Sequence, residues 1–189
     1  MKIGILGGTF NPIHIGHLVL AEEVLQKLRL DKILFIPAYL PPHKEEKELL
    51  DGKERMKMVR LAVKGNPRFE AADIEIKRKG KSYSIDTLKS LRLKYPPGNK
   101  FFFILGSDSL GYLDSWKDID SVLKLAKFVI ASRPGYALKN PPKGILPVAI
   151  ESLDVSGFCI RQRMKRNESV RYLLHPAVYA YIIKKGFYR

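Results

Sequence analysis

At 189 residues, with 34 lysines and arginines against 19 aspartates and glutamates, the chain carries a formal charge of +15. That balance attracts polyanions such as nucleic acid, an acidic membrane or phosphorylated small molecules, without choosing among them. Cys159 is the only cysteine, which excludes an internal disulfide framework, and no apolar run reaches membrane-spanning length. The length suits a single domain over residues 1–189, ending in a helical segment from about residue 154. With a strand at the very start and no leader pattern, a cytoplasmic protein is expected.

Lys2-Ile3-Gly4-Ile5-Leu6 is a short apolar run of the kind buried on both faces of a sheet. Gly7-Gly8 is expected to end it in a sharp turn that brings a ligand close to the backbone. Thr9-Phe10-Asn11-Pro12 and His14-Ile15-Gly16-His17 follow, and from Gly16 the spacing of Leu18, Ala21, Leu25 and Leu28 is helical. A strand, a glycine turn and a helix start make an anion site, because unpaired N–H groups and the helix dipole converge there. Two imidazoles three residues apart reach the same anion, so this stretch predicts a phosphate site.

Residues 32–36 form a second buried-strand pattern closed by Pro37, which completes a right-handed βαβ unit. Residues 38–50, with Pro41, Pro42, His43 and Lys44, read as a loop. Helical spacing over Gly52–Val63 turns Met56, Val59 and Val63 inward. Residues 69–76 alternate and predict a strand running into the basic turn Lys77-Arg78-Lys79-Gly80-Lys81. Ser84 or its neighbour caps a helix with Ile85, Leu88 and Leu91 on its apolar face, and Pro96-Pro97-Gly98 breaks it. Residues 101–105 predict a fourth strand ending at Gly106, where Ser107 and Asp108 start a helix. A short helix over Ile119–Leu125, a strand at 128–131, a sixth strand at 145–150 and helices from Ser156 and Pro176 complete the chain.

Strands alternating with helices predict an α/β fold, a Rossmann-like doubly wound parallel sheet of five or six strands with helices on both faces. Ligands of such sheets sit beyond the carboxyl ends of the strands, at the topological switch point. Gly7-Gly8-Thr9, the His43-Lys44 loop, Gly106-Ser107-Asp108 and Ser132-Arg133-Pro134-Gly135 all follow strand ends and gather at one rim. The spacing of Gly4, Gly7 and Gly8 is not the G-x-G-x-x-G dinucleotide fingerprint, which weighs against a dehydrogenase.

The stretch from Gly7 to Leu18 resembles the signature of the H-x-G-H nucleotidyltransferase superfamily, and with later segments the chain resembles bacterial nicotinate-nucleotide adenylyltransferases. The resemblance implies transfer of the adenylyl group of ATP to nicotinate mononucleotide, giving nicotinate adenine dinucleotide and pyrophosphate. His14, His17 and Arg161 would be the catalytic residues, steadying charge on the phosphates. Gly7, Gly8, Thr9, Phe10, Gly16, Gly106, Asp108, Arg133 and Ser156 would join them in binding ATP.

Pro41-Pro42-His43-Lys44 resembles the family's P-x-x-H-K stretch, which makes Lys44 a contact of the pyridine nucleotide; read alone it is a solvated loop. Ser82-Tyr83-Ser84-Ile85-Asp86-Thr87-Leu88 resembles S-Y-T-x-D-T-L, placing Ser84 near the pyridine carboxylate. Gly106-Ser107-Asp108 followed by Trp116 resembles a G-x-D-to-Trp arrangement, in which Asp108 binds hydroxyls or helps to order Mg²⁺. Trp116 lies among Asp114, Ser115, Lys117 and Asp118, a setting that predicts an accessible indole able to stack on a cationic pyridinium. Val155-Ser156-Gly157-Phe158-Cys159-Ile160-Arg161 departs from I-S-S-T-x-I-R at Gly157 and Phe158, removing a hydroxyl from the expected triphosphate contacts. Arg171-Tyr172-Leu173-Leu174-His175-Pro176 resembles R-Y-L-V-P and reads as structural.

The carboxylates are too few and scattered for an all-protein metal cage, so no metal ligands are assigned and Mg²⁺ is expected to arrive with ATP. The expected partners are the two small-molecule substrates, with no nucleic acid and no membrane, and a homo-oligomer stays open. The same chemistry on nicotinamide mononucleotide or phosphopantetheine is the nearest rival. A basic nucleic-acid-binding module is the remote one, prompted by +15 and the 77–81 cluster.

Overall fold

A computed structural model describes residues 1–41, 49–106, 111, 113, 115–132, 144–151 and 153–189. The chain opens with β1 (Lys2–Gly8), α1 (Ile15–Lys27), β2 (Lys32–Pro37), α2 (Gly52–Val63) and β3 (Phe69–Ala71). It continues with α3 (Ile74–Arg78), α4 (Ser84–Lys94), β4 (Lys100–Gly106), α5 (Ile119–Leu125), β5 (Lys127–Ser132) and β6 (Ile145–Ala149). The end is helical, with α6 (Gly157–Lys165), a 3-10 turn at Arg171–Leu173 and α7 (Pro176–Lys185).

The six strands form one sheet in the order β3-β2-β1-β4-β5-β6, and each neighbouring pair is parallel. Strand residues alternate between its two faces, as the twofold period requires. Leu6, Ile33, Phe35, Phe102, Ile104, Val129 and Ala131 meet Ala21, Val24 and Leu25 of α1, Met58 and Val59 of α2, Ile160 of α6, and Val178 and Ile182 of α7. Ile3, Ile5, Leu34, Ile36, Phe101, Phe103, Leu105, Phe128 and Ile130 meet Ile85, Leu88 and Leu91 of α4 and Val122 of α5. The doubly wound architecture is therefore as expected, with six strands. No helix among the described residues is long and apolar enough to cross a membrane.

Two local expectations fail. The strand expected over residues 69–76 stops at Ala71, and Ile74–Arg78 is helical instead. The amide of Ala72 still donates to the Phe35 carbonyl at 2.9 Å, but the next rung would need an amide from Pro37, which has none. With the ladder ended, the chain turns at Asp73 into α3. The turn expected at Gly7-Gly8 also lies elsewhere, since both glycines stay in β1 opposite Ile36 and Pro37. The reversal falls at Phe10, whose φ of 50° lies in the left-handed region. Gly8 makes room for it: a Cβ there would lie 3.1 Å from the folded-back Phe10 ring.

The connection from β1 leads to β2 on one side of the sheet, whereas β4 lies on the other side of β1. The switch point thus falls between β1 and β4, which run in register with Leu6 beside Ile104. The loop after Gly8 and the end of β4 at Gly106 open onto the same rim.

Candidate active site

At that rim the chain leaves β1 through Thr9 and the buried Phe10, Asn11 and Ile13 and enters α1 at His14. The His14 amide donates to His17 Nδ1 at 3.2 Å, and the His17 amide donates to the His14 carbonyl at 3.0 Å. The two rings lie with centroids 3.7 Å apart and tilted by 34°, and Phe10 presents its edge to His17 at 4.9 Å. Because Nδ1 of His17 accepts, the neutral ring carries its proton on Nε2, which makes that nitrogen a donor.

His14 is buried, and burial holds its imidazole down at about 4, so it is neutral at pH 7. Its Nδ1 is buried without a hydrogen-bond partner among the described residues. Gly16 makes this packing possible, since a Cβ there would lie 3.2 Å from His14 Nδ1.

The start of α6 faces this loop. Ser156 caps the helix by accepting from the Cys159 amide at 3.1 Å, as expected. Arg161, one turn on and buried, donates from Nη1 to the Asn11 carbonyl at 2.7 Å. Gly157 lies so close that a Cβ would stand 3.1 Å from the same carbonyl. Phe158 is exposed, with the Arg161 guanidinium 5.9 Å from its ring. Neither α1 nor α6 has a carboxylate in its first turn, so neither turn itself opposes the positive end of its helix. The expected residues Gly7, Gly8, Thr9, Phe10, His14, Gly16, His17, Ser156 and Arg161 thus come together at one rim, with Gly106 at the end of the adjacent strand. The arrangement offers imidazole, guanidinium and helix-end donors, a set suited to a polyphosphate.

Of the residues expected at the pyridine nucleotide, Ser84 and Trp116 are described. Ser84 is the first residue of α4, and Tyr83 rather than Ser84 occupies the cap position. Trp116 is half-buried, packed edge-on against Phe103 at 5.6 Å and Phe128 at 5.8 Å. Lys117 lies over the Tyr83 ring at 4.6 Å, which joins the two segments. Lys44, Asp108 and Arg133 lie outside the described residues.

Several residues at the rim escape sequence reasoning. Arg55 of α2 is wholly buried and donates to the carbonyls of Thr9, Ala38, Tyr39 and Leu50. Removing it would leave buried acceptors unsatisfied at about 1–3 kcal/mol each. The available signal is its position, because Gly52, Arg55, Met56, Val59 and Val63 share one helical stripe and an arginine on an apolar stripe must find buried partners. Asn11 is the second. Its side-chain oxygen accepts from the Tyr188 hydroxyl at 2.8 Å, a contact across 177 residues that no local pattern encodes. His175, read from the sequence as structural, accepts from the Ala177 amide at 3.2 Å and so caps α7.

A family model described as cytidylyltransferase-like matches residues 5–163. A "probable nicotinate-nucleotide adenylyltransferase" of Geobacillus thermodenitrificans is 41% identical over 187 residues, covering 99% of this chain and 86% of the relative. The protein of the same printed name from Syntrophotalea carbinolica is 43% identical over 215 residues, covering 100% and 98%. Among solved structures, Plasmodium falciparum nicotinic acid mononucleotide adenylyltransferase complexed with NaAD is similar with a TM-score of 0.79. That match covers 99% of this chain and 97% of the other at 21% identity, a likeness of fold.

Proposed function

The chain belongs to the nicotinate-nucleotide adenylyltransferases of the cytidylyltransferase-like family, and on that premise we propose how its residues perform adenylyl transfer. The enzyme transfers the adenylyl group of ATP to nicotinate mononucleotide, forming nicotinate adenine dinucleotide and pyrophosphate. The observation that carries this reading is 41–43% identity over 99–100% of this chain to relatives of that name.

A phosphate oxygen of the mononucleotide attacks the α-phosphorus of ATP, a new P–O bond forms, and the bond to the bridging oxygen of pyrophosphate breaks. No covalent enzyme intermediate is needed, so the protein contributes alignment and charge stabilisation. His17 donates from Nε2 to the phosphates, and His14, kept neutral by burial, contributes a dipolar donor rather than a fixed cation. Arg161 braces the loop through Asn11 and places its positive charge beside the phosphates. Gly7, Gly8, Thr9, Phe10 and Gly16 shape the backbone around the triphosphate, with Ser156 at the head of α6, and Gly106, Asp108 and Arg133 complete the ATP contacts. Ser84, Trp116, Lys44 and Asp108 hold the pyridine nucleotide.

Mg²⁺ supplies charge neutralisation on the triphosphate. Among the described residues the donors at the rim are imidazole and guanidinium nitrogens, which fits a cation held chiefly by ATP oxygens. The whole chain acts as one catalytic unit, and a cytoplasmic location agrees with its single cysteine. The test is pyrophosphate release with ATP, Mg²⁺ and each mononucleotide in turn. Rapid release with nicotinate mononucleotide is expected, and a clear preference for nicotinamide mononucleotide or phosphopantetheine would reassign the acceptor.

A further inference from the structure

Arg55 does more than fill its place in the core. One of the carbonyls it holds, that of Thr9, lies in the loop leaving β1, at 2.7 Å. Two others, those of Ala38 and Tyr39, follow β2, and the fourth, that of Leu50, precedes α2. The Tyr39 amide in turn donates to Ser82 Oγ at 2.8 Å, and the Ser82 amide donates to the Leu40 carbonyl at 2.9 Å. The Thr87 hydroxyl donates to the buried carboxylate of Glu75 at 2.6 Å, and Ser82 lies close enough to the same carboxylate to help hold its charge. A line of buried and half-buried polar groups therefore runs from Thr9 through Arg55, Tyr39 and Ser82 to Glu75 and Thr87. It begins in the loop of the triphosphate and ends in the first turns of α4, where Ser84 stands.

The geometry points to Arg55 and Ser82 as positioning residues that hold the two nucleotide loops in register, so that the acceptor phosphate lies in line with the α-phosphorus. This inference rests on the assignment of those loops to ATP and nicotinate mononucleotide. The planar guanidinium suits the task because its fixed fork reaches carbonyls of separate segments at once, which a lysine ammonium cannot reproduce. The Ser82 hydroxyl accepts from the Tyr39 amide beside Glu75, which makes it part of the network. Its effect on catalysis must then pass through the network.

Transfer between two bound substrates is far more sensitive to their mutual placement than either binding step is. A loss of register lowers kcat and leaves each KM nearly unchanged, whereas a brace that serves folding alone lowers thermal stability and spares kcat of the folded fraction. Steady-state formation of the dinucleotide by the full chain, with folding checked by circular dichroism, separates the two. Ser82→Ala is expected to lower kcat about tenfold, and Arg55→Lys about a hundredfold, with KM for ATP and for the mononucleotide each within about threefold. A folded Ser82→Ala enzyme with kcat near that of the parent, or with a change confined to KM for the mononucleotide, overturns the proposal. So does failure of both variants to fold, which would assign the network to folding alone. Should Arg55→Lys fail to fold, Ser82→Ala decides by itself. If the unmodified chain makes no dinucleotide, the functional reading fails; if it does and the variants behave like it, only this inference fails.

Discussion

Replacing Gly16 by alanine separates the catalytic role of the His14 ring from the stability of the loop that carries it. The added Cβ would lie 3.2 Å from His14 Nδ1 and 3.3 Å from Cε1. Comfortable contacts begin near ~3.5 Å, so the ring must retreat by a few tenths of an ångström. Two stability effects oppose each other. Alanine in a helix gains roughly 0.5–1 kcal/mol over glycine, and pushing a ring off its rotamer costs about 0.5–1.5 kcal/mol. The net is near zero, and for a chain of this size the melting temperature should move by no more than about 3 °C. Catalysis has no such compensation: since a misplacement of ~1 Å costs about a hundredfold, a few tenths should lower kcat roughly three- to tenfold. Pyrophosphate release gives the rate, and a thermal melt gives the stability. In a His14→Ala background the same glycine substitution should cost nothing further, because the ring it displaces is gone. Unchanged kcat in Gly16→Ala, or full additivity with His14→Ala, would refute the reasoning.

Burial of His14 sets a pH dependence. Its folded value of about 4 lies below the ordinary 6.5, so between these values the unfolded chain binds a proton that the folded chain does not. Stability therefore rises with pH through that window and is fully present above it. From pH 7 to pH 5 the parent should lose about 2 kcal/mol more than His14→Gln in urea denaturation, and equal losses would contradict the assignment. Trp116→Leu keeps apolar packing on Phe103 and Phe128 but removes the indole face, so KM for nicotinate mononucleotide should rise about three- to thirtyfold with KM for ATP unchanged. Phe158→Thr, restoring a hydroxyl at an exposed position of α6, should lower KM for ATP; an unchanged or raised value counts against placing the triphosphate there.

Much of the fold is legible in sequence because the interior strands are buried on both faces and bounded by glycine or proline. The runs at 2–6, 32–36 and 101–105 admit few other readings. Where legibility fails, the deciding interaction comes from a distant segment. Residues 72–76 alternate well enough for a strand, yet the missing amide of Pro37 on the neighbouring strand ends the ladder. Gly7 and Gly8 look like a turn, but both stay in β1, and Gly8 serves to admit the Phe10 ring. In the site, His14, Gly16 and His17 are visible because chemistry, spacing and helix start coincide within four residues. Arg55 and Tyr188 are not, because a charged residue on an apolar stripe and a tyrosine near the far end of the chain acquire their meaning only from the carbonyls and the amide side chain they meet after folding.

The central claim is that the triphosphate lies between the loop after β1 and the start of α6. A crystal structure with a non-hydrolysable adenosine triphosphate analogue tests it directly. The account predicts phosphate oxygens within hydrogen-bonding distance of His17 and Arg161. Phosphates bound away from that rim, with both side chains distant from them, would contradict it.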